Sequence, residues 1–173
     1  MRGALALVLA AGCVALPVAG AVSEASPSGF LVTLRAEVPA KPAAAYATLT
    51  RVASWWGDAH TYSGSARNLS IDAAAGGCFC ERWEGNSVQH ARVLYAMPGS
   101  GLRLEGSLGP LQQMAVTGIL TFALAPAGDG TAITLTYRVR SAPEAGLDRI
   151  APKVDTMWSG QLDQLARALG APR

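Results

Sequence analysis

The chain has little of what most enzyme or nucleic-acid readings require. Charged residues fill 15% of its 173 positions and aromatic residues 6%. Lys and Arg number 14 against 12 acids, a formal net charge of +2, and no basic cluster concentrates it. Binding to a phosphate backbone needs a dense positive surface, so the sequence gives no case for a nucleic-acid partner. There is no Gly-x-Ser-x-Gly, no phosphate-binding glycine loop and no His-Glu-x-x-His. No nucleophile motif and no cofactor motif is therefore present. Disorder is excluded as well. Half the residues are apolar, enough for the core of one domain in a chain short for two.

Long apolar runs are missing apart from the first. Arg2 is followed by Ala4 to Leu16, then Pro17 and the small-residue site Ala19-Gly20-Ala21. That order is expected of a secretory signal over residues 1–21, cleaved after Ala21, with a periplasmic or secreted mature protein. Lipid attachment at Cys13 is the rival, although Leu is absent three residues ahead of it. No later run is long enough to cross a bilayer as a helix. Loss of the leader removes Arg2, so 13 bases face 12 acids and the net charge falls to +1.

Cysteine is scarce too, and removing Cys13 leaves Cys78 and Cys80. Thiols of exported proteins tend to pair. On a regular strand their α-carbons would stand about 7 Å apart, near the upper limit for a bridge, so pairing implies a bulge or twist. A metal reading would add His60 or His90. Structural zinc sites want four ligands and wider cysteine spacing, so no metal is assigned. Two small buried side chains are the plain alternative.

What is there is periodicity. Ile150, Val154, Met157, Trp158, Leu162, Leu165 and Leu169 recur at three- and four-residue steps, one broad face of a helix within Leu147 to Leu169. Pro152 suits its first turn and Gly170 its end. Gly160, in mid-helix, suggests close approach of something to the backbone. Residues 22–29 read as a flexible lead-in. Phe30 to Val38 alternates as a half-buried strand, and Lys41 to Val52 reads as a helix followed by a helical turn at Ser54-Trp55-Trp56-Gly57. From Asn68 the period is two. Six strands are expected: 68–73, 78–84, 87–97, 102–108, 114–124 and 131–140, joined by glycine-rich turns as an antiparallel meander.

One strand, a helical insert, a long meander and a C-terminal helix together resemble the helix-grip fold of the START-like or Bet v 1-like (SRPBCC) superfamily. The local motifs are similar to its bacterial branch related to activators of Hsp90 ATPase and to polyketide cyclases. They are Trp55-Trp56, Gly76-Gly77-Cys78-Phe79-Cys80-Glu81, Pro98-Gly99-Ser100-Gly101-Leu102-Arg103-Leu104 and Gly109-Pro110-Leu111. The resemblance covers a single domain over residues 30–170. It implies an α+β fold in which a curved seven-stranded antiparallel sheet wraps a long C-terminal helix, leaving a hydrophobic cavity between them. One scaffold of this type hosts lipid carriers, cyclases and co-chaperones, so fold alone does not choose among them.

The expected function is binding of an apolar or amphipathic small molecule in that cavity. Trp55 and Trp56 fall at its mouth, one lining the pocket and the other on the rim. His60 and Tyr62 on the next loop would orient a ligand. Phe79, Tyr95, Tyr137, Met157 and Trp158 are candidate wall residues, equally suited to plain core. If Gly85-Asn86 is a two-residue turn, Glu81 faces His90, and Phe79, Glu81 and Trp83 share a face with Val88, His90 and Arg92. An acid beside an imidazole can do general acid–base work, which gives an enzyme of cyclase, dehydratase or hydrolase type as the alternative. A cross-strand ion pair on an open sheet is the bland reading. A third reading, a co-chaperone-like interaction module, predicts an exposed apolar patch.

Overall fold

The computed structural model describes residues 21–172. Residues 1–20 of the expected leader over residues 1–21, with Cys13, lie outside them. Eight strands appear among the described residues: β1 Ala21–Ser26, β2 Gly29–Val38, β3 Leu69–Ile71, β4 Cys78–Trp83, β5 Asn86–Met97, β6 Gly101–Glu105, β7 Thr117–Ala127 and β8 Gly130–Arg140. Two α-helices join them, α1 Pro42–Thr50 and α2 Ala151–Ala168. All the strands belong to one antiparallel sheet ordered β1-β2-β8-β7-β6-β5-β4-β3. The meander thus runs from β3 to β8, and β2 returns to pair along β8 over its whole length.

The expected count of seven strands is one short. Residues 22–29 are not a flexible lead-in: Val22 pairs with Val32 and Ala25 with Phe30 across a tight turn at Pro27 and Ser28. Small polar residues hid this strand because an edge strand is held by backbone bonds and needs little apolar alternation. Glu24 also reaches across β2 to Arg138 and Arg140 on β8, at 3.2 and 3.5 Å.

Helix α2 lies on the sheet through the face its spacing predicts. Val154, Trp158, Leu162, Leu165 and Leu169 are buried, while Ile150 and Met157 are half-buried at the margin of the core. Two residues depart from the pattern. Gln161 is buried on this apolar face, and Gly160 is exposed with nothing within 4 Å of where its Cβ would stand. The glycine is therefore not a point of close approach.

The space between sheet and helix is almost full. Trp158 sits at its centre, fully buried, with the rings of Trp56, Phe122 and Tyr137 all within 6.1 Å of its own, centroid to centroid. What remains is a cavity of about 10 Å³ lined by Trp55, Trp56, Phe79, Leu104, Phe122, Trp158 and their neighbours. That is room for about one water, not for a small organic molecule. The expected open hollow is thus corrected: three tryptophans and two phenylalanines meet where the fold would otherwise leave it.

Candidate functional site

The site is assembled by the segment between α1 and β3 closing over the β4–β5 hairpin. Three short 3₁₀ turns, Val52–Ser54, Asp58–His60 and Ala66–Asn68, fold this segment back on the sheet edge. Trp55 is buried and donates its indole N–H to the Leu49 carbonyl at 3.1 Å. Trp56 is half-buried and donates to the His60 carbonyl at 2.9 Å. Gly57 follows, its N–H bonded to Gln161 Oε1 at 3.0 Å. A Cβ at Gly57 would stand 2.8 Å from Gln164 Nε2, the free end of a flexible side chain, so the loop lies close against the side chains of α2. The segment is therefore pinned to the final helix directly behind Trp56.

Its outer half is pinned by Glu81. The Glu81 carboxylate is 0% exposed and accepts from Tyr62 N at 3.0 Å, Ser63 N at 2.5 Å and His90 Nε2 at 3.0 Å. Burial alone would raise its pKa, but hydrogen bonds from Ser63, Tyr62 and His90 outweigh that and hold the carboxyl below its usual value. His90 is 7% exposed. Burial lowers its pKa more than the Glu81 carboxylate raises it, so the imidazole is neutral near pH 7 and its Nε2 carries the proton given to Glu81. Nδ1 is then left as an acceptor, with no protein partner among the described residues.

The hairpin reaches this pair by a different register from the expected one. The turn is Glu84-Gly85, both at positive φ (47° and 81°), and Trp83 pairs with Asn86. Glu81 consequently faces Val88 rather than His90. A bulge then follows, with Cys80 opposite Gln89 but Phe79 opposite Ala91, so His90 is the extra residue. His90 and Ala91 both turn inward and Arg92 turns out to solvent, correcting the expected face shared by His90 and Arg92. Cys78 and Cys80 flank the same irregularity and are bridged, with α-carbons 5.4 Å apart.

Aromatic rings form a continuous file from the core to the surface. Trp158 meets Trp56 at 5.6 Å, Trp56 meets Phe79 at 5.5 Å, Phe79 meets His90 at 4.9 Å and His90 meets Tyr62 at 5.8 Å. Tyr62 ends the file, 49% exposed, its hydroxyl within reach of the Gly109 carbonyl and Gln112 Oε1 at 3.3 and 3.2 Å. It straps the insert to the loop between β6 and β7.

The other candidates stand apart from this file. His60 is exposed and touches it only through its carbonyl. Met157 is half-buried and does not border the residual cavity. Tyr137 packs on Trp158, but its hydroxyl is committed to Gly106 O and Leu108 N, at 3.0 and 3.2 Å. Burial pushes its pKa up to about 12. Tyr95 is not a wall residue. A second bulge, between Val93 and Tyr95, turns it to the outer face beneath Arg103, with Leu94 and Met97 also exposed on that strand. Sequence reasoning missed Ser63, Gly57 and Gln161, which hold the insert; a loop backbone donor and a helix glutamine leave no periodic trace. Among the described residues no three His, Cys, Asp or Glu side chains converge as a metal set, and no helix is long and apolar enough to cross a membrane.

No family model matches the chain, and no curated protein matches it by sequence. Solved structures do. Protein MLL2253 from Mesorhizobium loti superposes with a TM-score of 0.60 at 17% identity, covering 80% of this chain and 96% of that one. The Aha1 dimer from Colwellia psychrerythraea gives 0.58 at 19%, covering 80% and 95%. CalU16 from Micromonospora echinospora gives 0.54 at 17%, covering 82% and 77%. The chain has the helix-grip fold. At such identities the likeness is one of fold, and a helix-grip scaffold does not by itself specify chemistry.

Proposed function

We propose that this helix-grip protein binds a small apolar or amphipathic molecule between the sheet and α2, in a space that the ligand opens by displacing Trp56 and lifting Tyr62. One observation carries the reading. Trp158 lines the residual cavity, whose wall is wholly apolar, and its fully buried Nε1 has no acceptor among the described residues. A buried donor without a partner costs about 1–3 kcal/mol, so a ligand bringing a carbonyl or hydroxyl into that space would recover it. The aromatic file from Trp158 to Tyr62 supplies the route, and half-buried Trp56 is its movable member. Burial of ligand surface would contribute about 25 cal/mol per Å² before ordering costs. A bacterial lipid extract and a panel of aromatic ketones, screened by native mass spectrometry and tryptophan fluorescence, test this. Binding that weakens at least about tenfold in Trp158→Phe is the expected result. No bound species with the wild-type chain in either screen would overturn it.

A second reading is favoured by the protonation states at the hairpin. Neutral His90, oriented by an ionised Glu81, is the geometry of a general base. Glu81 itself is spent on two loop amides and His90, so it serves as an orienting group rather than a proton donor. His90→Gln separates the readings. A binder keeps its ligand with modest loss, whereas an acid–base enzyme loses turnover about a hundredfold or more.

A further inference from the structure

The second site lies on the opposite face of the same hairpin. Phe79 and Glu81 point in, which turns Cys78 to the outer side of the strand, where it is half-buried, while Cys80 is buried. The cross-strand partners of the two cysteines are Arg92 and Gln89, which stand between the bridge and an open trough of about 560 Å³ that neither cysteine lines. Its other walls include Ser87, Glu105, Ser107 and Gln112, so the trough is polar and carries charges of both signs. Between the cysteines there is one residue, and their α-carbons are 5.4 Å apart. A regular strand would place them at about twice its rise of 3.3 Å, so the backbone is shortened here, at the point where the register slips. Opening the bridge would let β4 relax to its ordinary pleat.

Access and charge differ between the two sulfurs. Cys78 is half-buried and Cys80 only 6% exposed. Arg92 stands opposite Cys78, and its guanidinium lies over Gly76, with Nη2 3.9 Å from where a Cβ there would be. The Asp72 carboxyl packs on Gly77, on the side of the preceding turn, and is the charge that opposes it. A cation beside a cysteine favours the thiolate.

We propose that Cys78–Cys80 is a thiol–disulfide exchange site that oxidises polypeptide dithiols reaching Cys78 across Arg92 and Gln89, from the side of the polar trough. A substrate thiolate attacks Cys78 Sγ, the accessible sulfur; the bridge breaks and Cys80 leaves as a thiolate that takes up a proton. The second substrate thiol, losing its own proton, attacks the substrate sulfur of the mixed disulfide. Cys78 leaves as a thiolate stabilised by Arg92 and is then protonated. One substrate disulfide forms, two electrons and two protons pass to the protein, and no further reactant is needed. A leaving thiol of low pKa departs faster, which is the part Arg92 plays.

The test uses the full chain carrying Cys13→Ser, oxidised and kept free of oxygen, mixed with an equimolar polar peptide containing two reduced cysteines. Alkylation and mass spectrometry count the thiols, and circular dichroism follows the fold. The expected result is transfer of one disulfide per chain to the peptide within minutes at neutral pH, with the protein still folded. In Arg92→Gln, which leaves both cysteines in place, transfer slows about tenfold. A bridge that stays closed until denaturant is added would mark it as a structural staple and overturn the proposal. Equal rates for the wild type and Arg92→Gln would overturn the part given to Arg92.

Discussion

Glu81 and His90 meet at 3.0 Å without being cross-strand partners: Val88 stands opposite Glu81, and His90 is the residue that a bulge leaves over. The contact is buried and is shared with two amides of a loop 18 and 19 residues earlier in the chain. It therefore belongs to tertiary structure rather than to decoration of a sheet face, and it has measurable consequences.

Removing the charge should loosen the insert first. Glu81→Gln turns one of three accepting contacts into a clash of donors and weakens the rest, at a cost of about 3 kcal/mol. Denaturant unfolding should report that loss. Hydrogen exchange should show the Tyr62 and Ser63 amides losing protection before the strands do.

The same pair sets the response to acid. The folded pKa of His90 lies below its ordinary 6.5, so the unfolded chain binds the proton first as pH falls. Its contribution is present above about pH 6.5 and is lost as pH drops through the folded value. Glu81 is also lowered, so its contribution is present above about pH 4.3 and is lost on further acidification. Asp155, raised by burial, works the other way, and its protonation relieves a strain. Thermal midpoints between pH 7 and about pH 2 should fall in two stages, and His90→Gln should remove the upper one. An unchanged upper stage in that variant would assign it to another group.

Gly160→Ala should stabilise the protein by about 1 kcal/mol, because the position is helical, exposed and has nothing within 4 Å of the added carbon. Thermal melting checks this. A loss of stability would mean that the backbone at this turn is needed for something the folded chain does not reveal.

Trp56→Ala should join the volume of an indole to the existing cavity of about 10 Å³. Stability should fall by about 2–4 kcal/mol, less than for a fully buried tryptophan because Trp56 is only partly buried. The variant should also bind an apolar fluorescent probe such as anilinonaphthalene sulfonate more tightly than the wild type does. Equal probe binding by both would remove Trp56 from the gate.

Much of the fold was legible in residues whose side chains alternate or recur. The face of α2 could be read because Val154, Trp158, Leu162 and Leu165 must leave water together, and the strands β2 and β6 to β8 because inward positions repeat every second residue. Strand β1 was not legible, since its small polar residues are fixed by the backbone of β2. The pairing of Glu81 with His90 was anticipated from a turn one residue out of place. The bulge at His90 then compensated for that slip, and the faces of Arg92, Ala91 and Val93 moved with it.

Sequence by itself determined the class of the molecule: an antiparallel meander closed on a terminal amphipathic helix, because burial periodicity is a local property of the chain. Only the tertiary structure decided whether the interior stays open, where the bulges fall and which loop amides reach Glu81. Those outcomes depend on how large side chains distant in sequence, Trp56, Phe122 and Trp158 above all, fill one shared volume. No periodicity along the chain records the space left over when they meet.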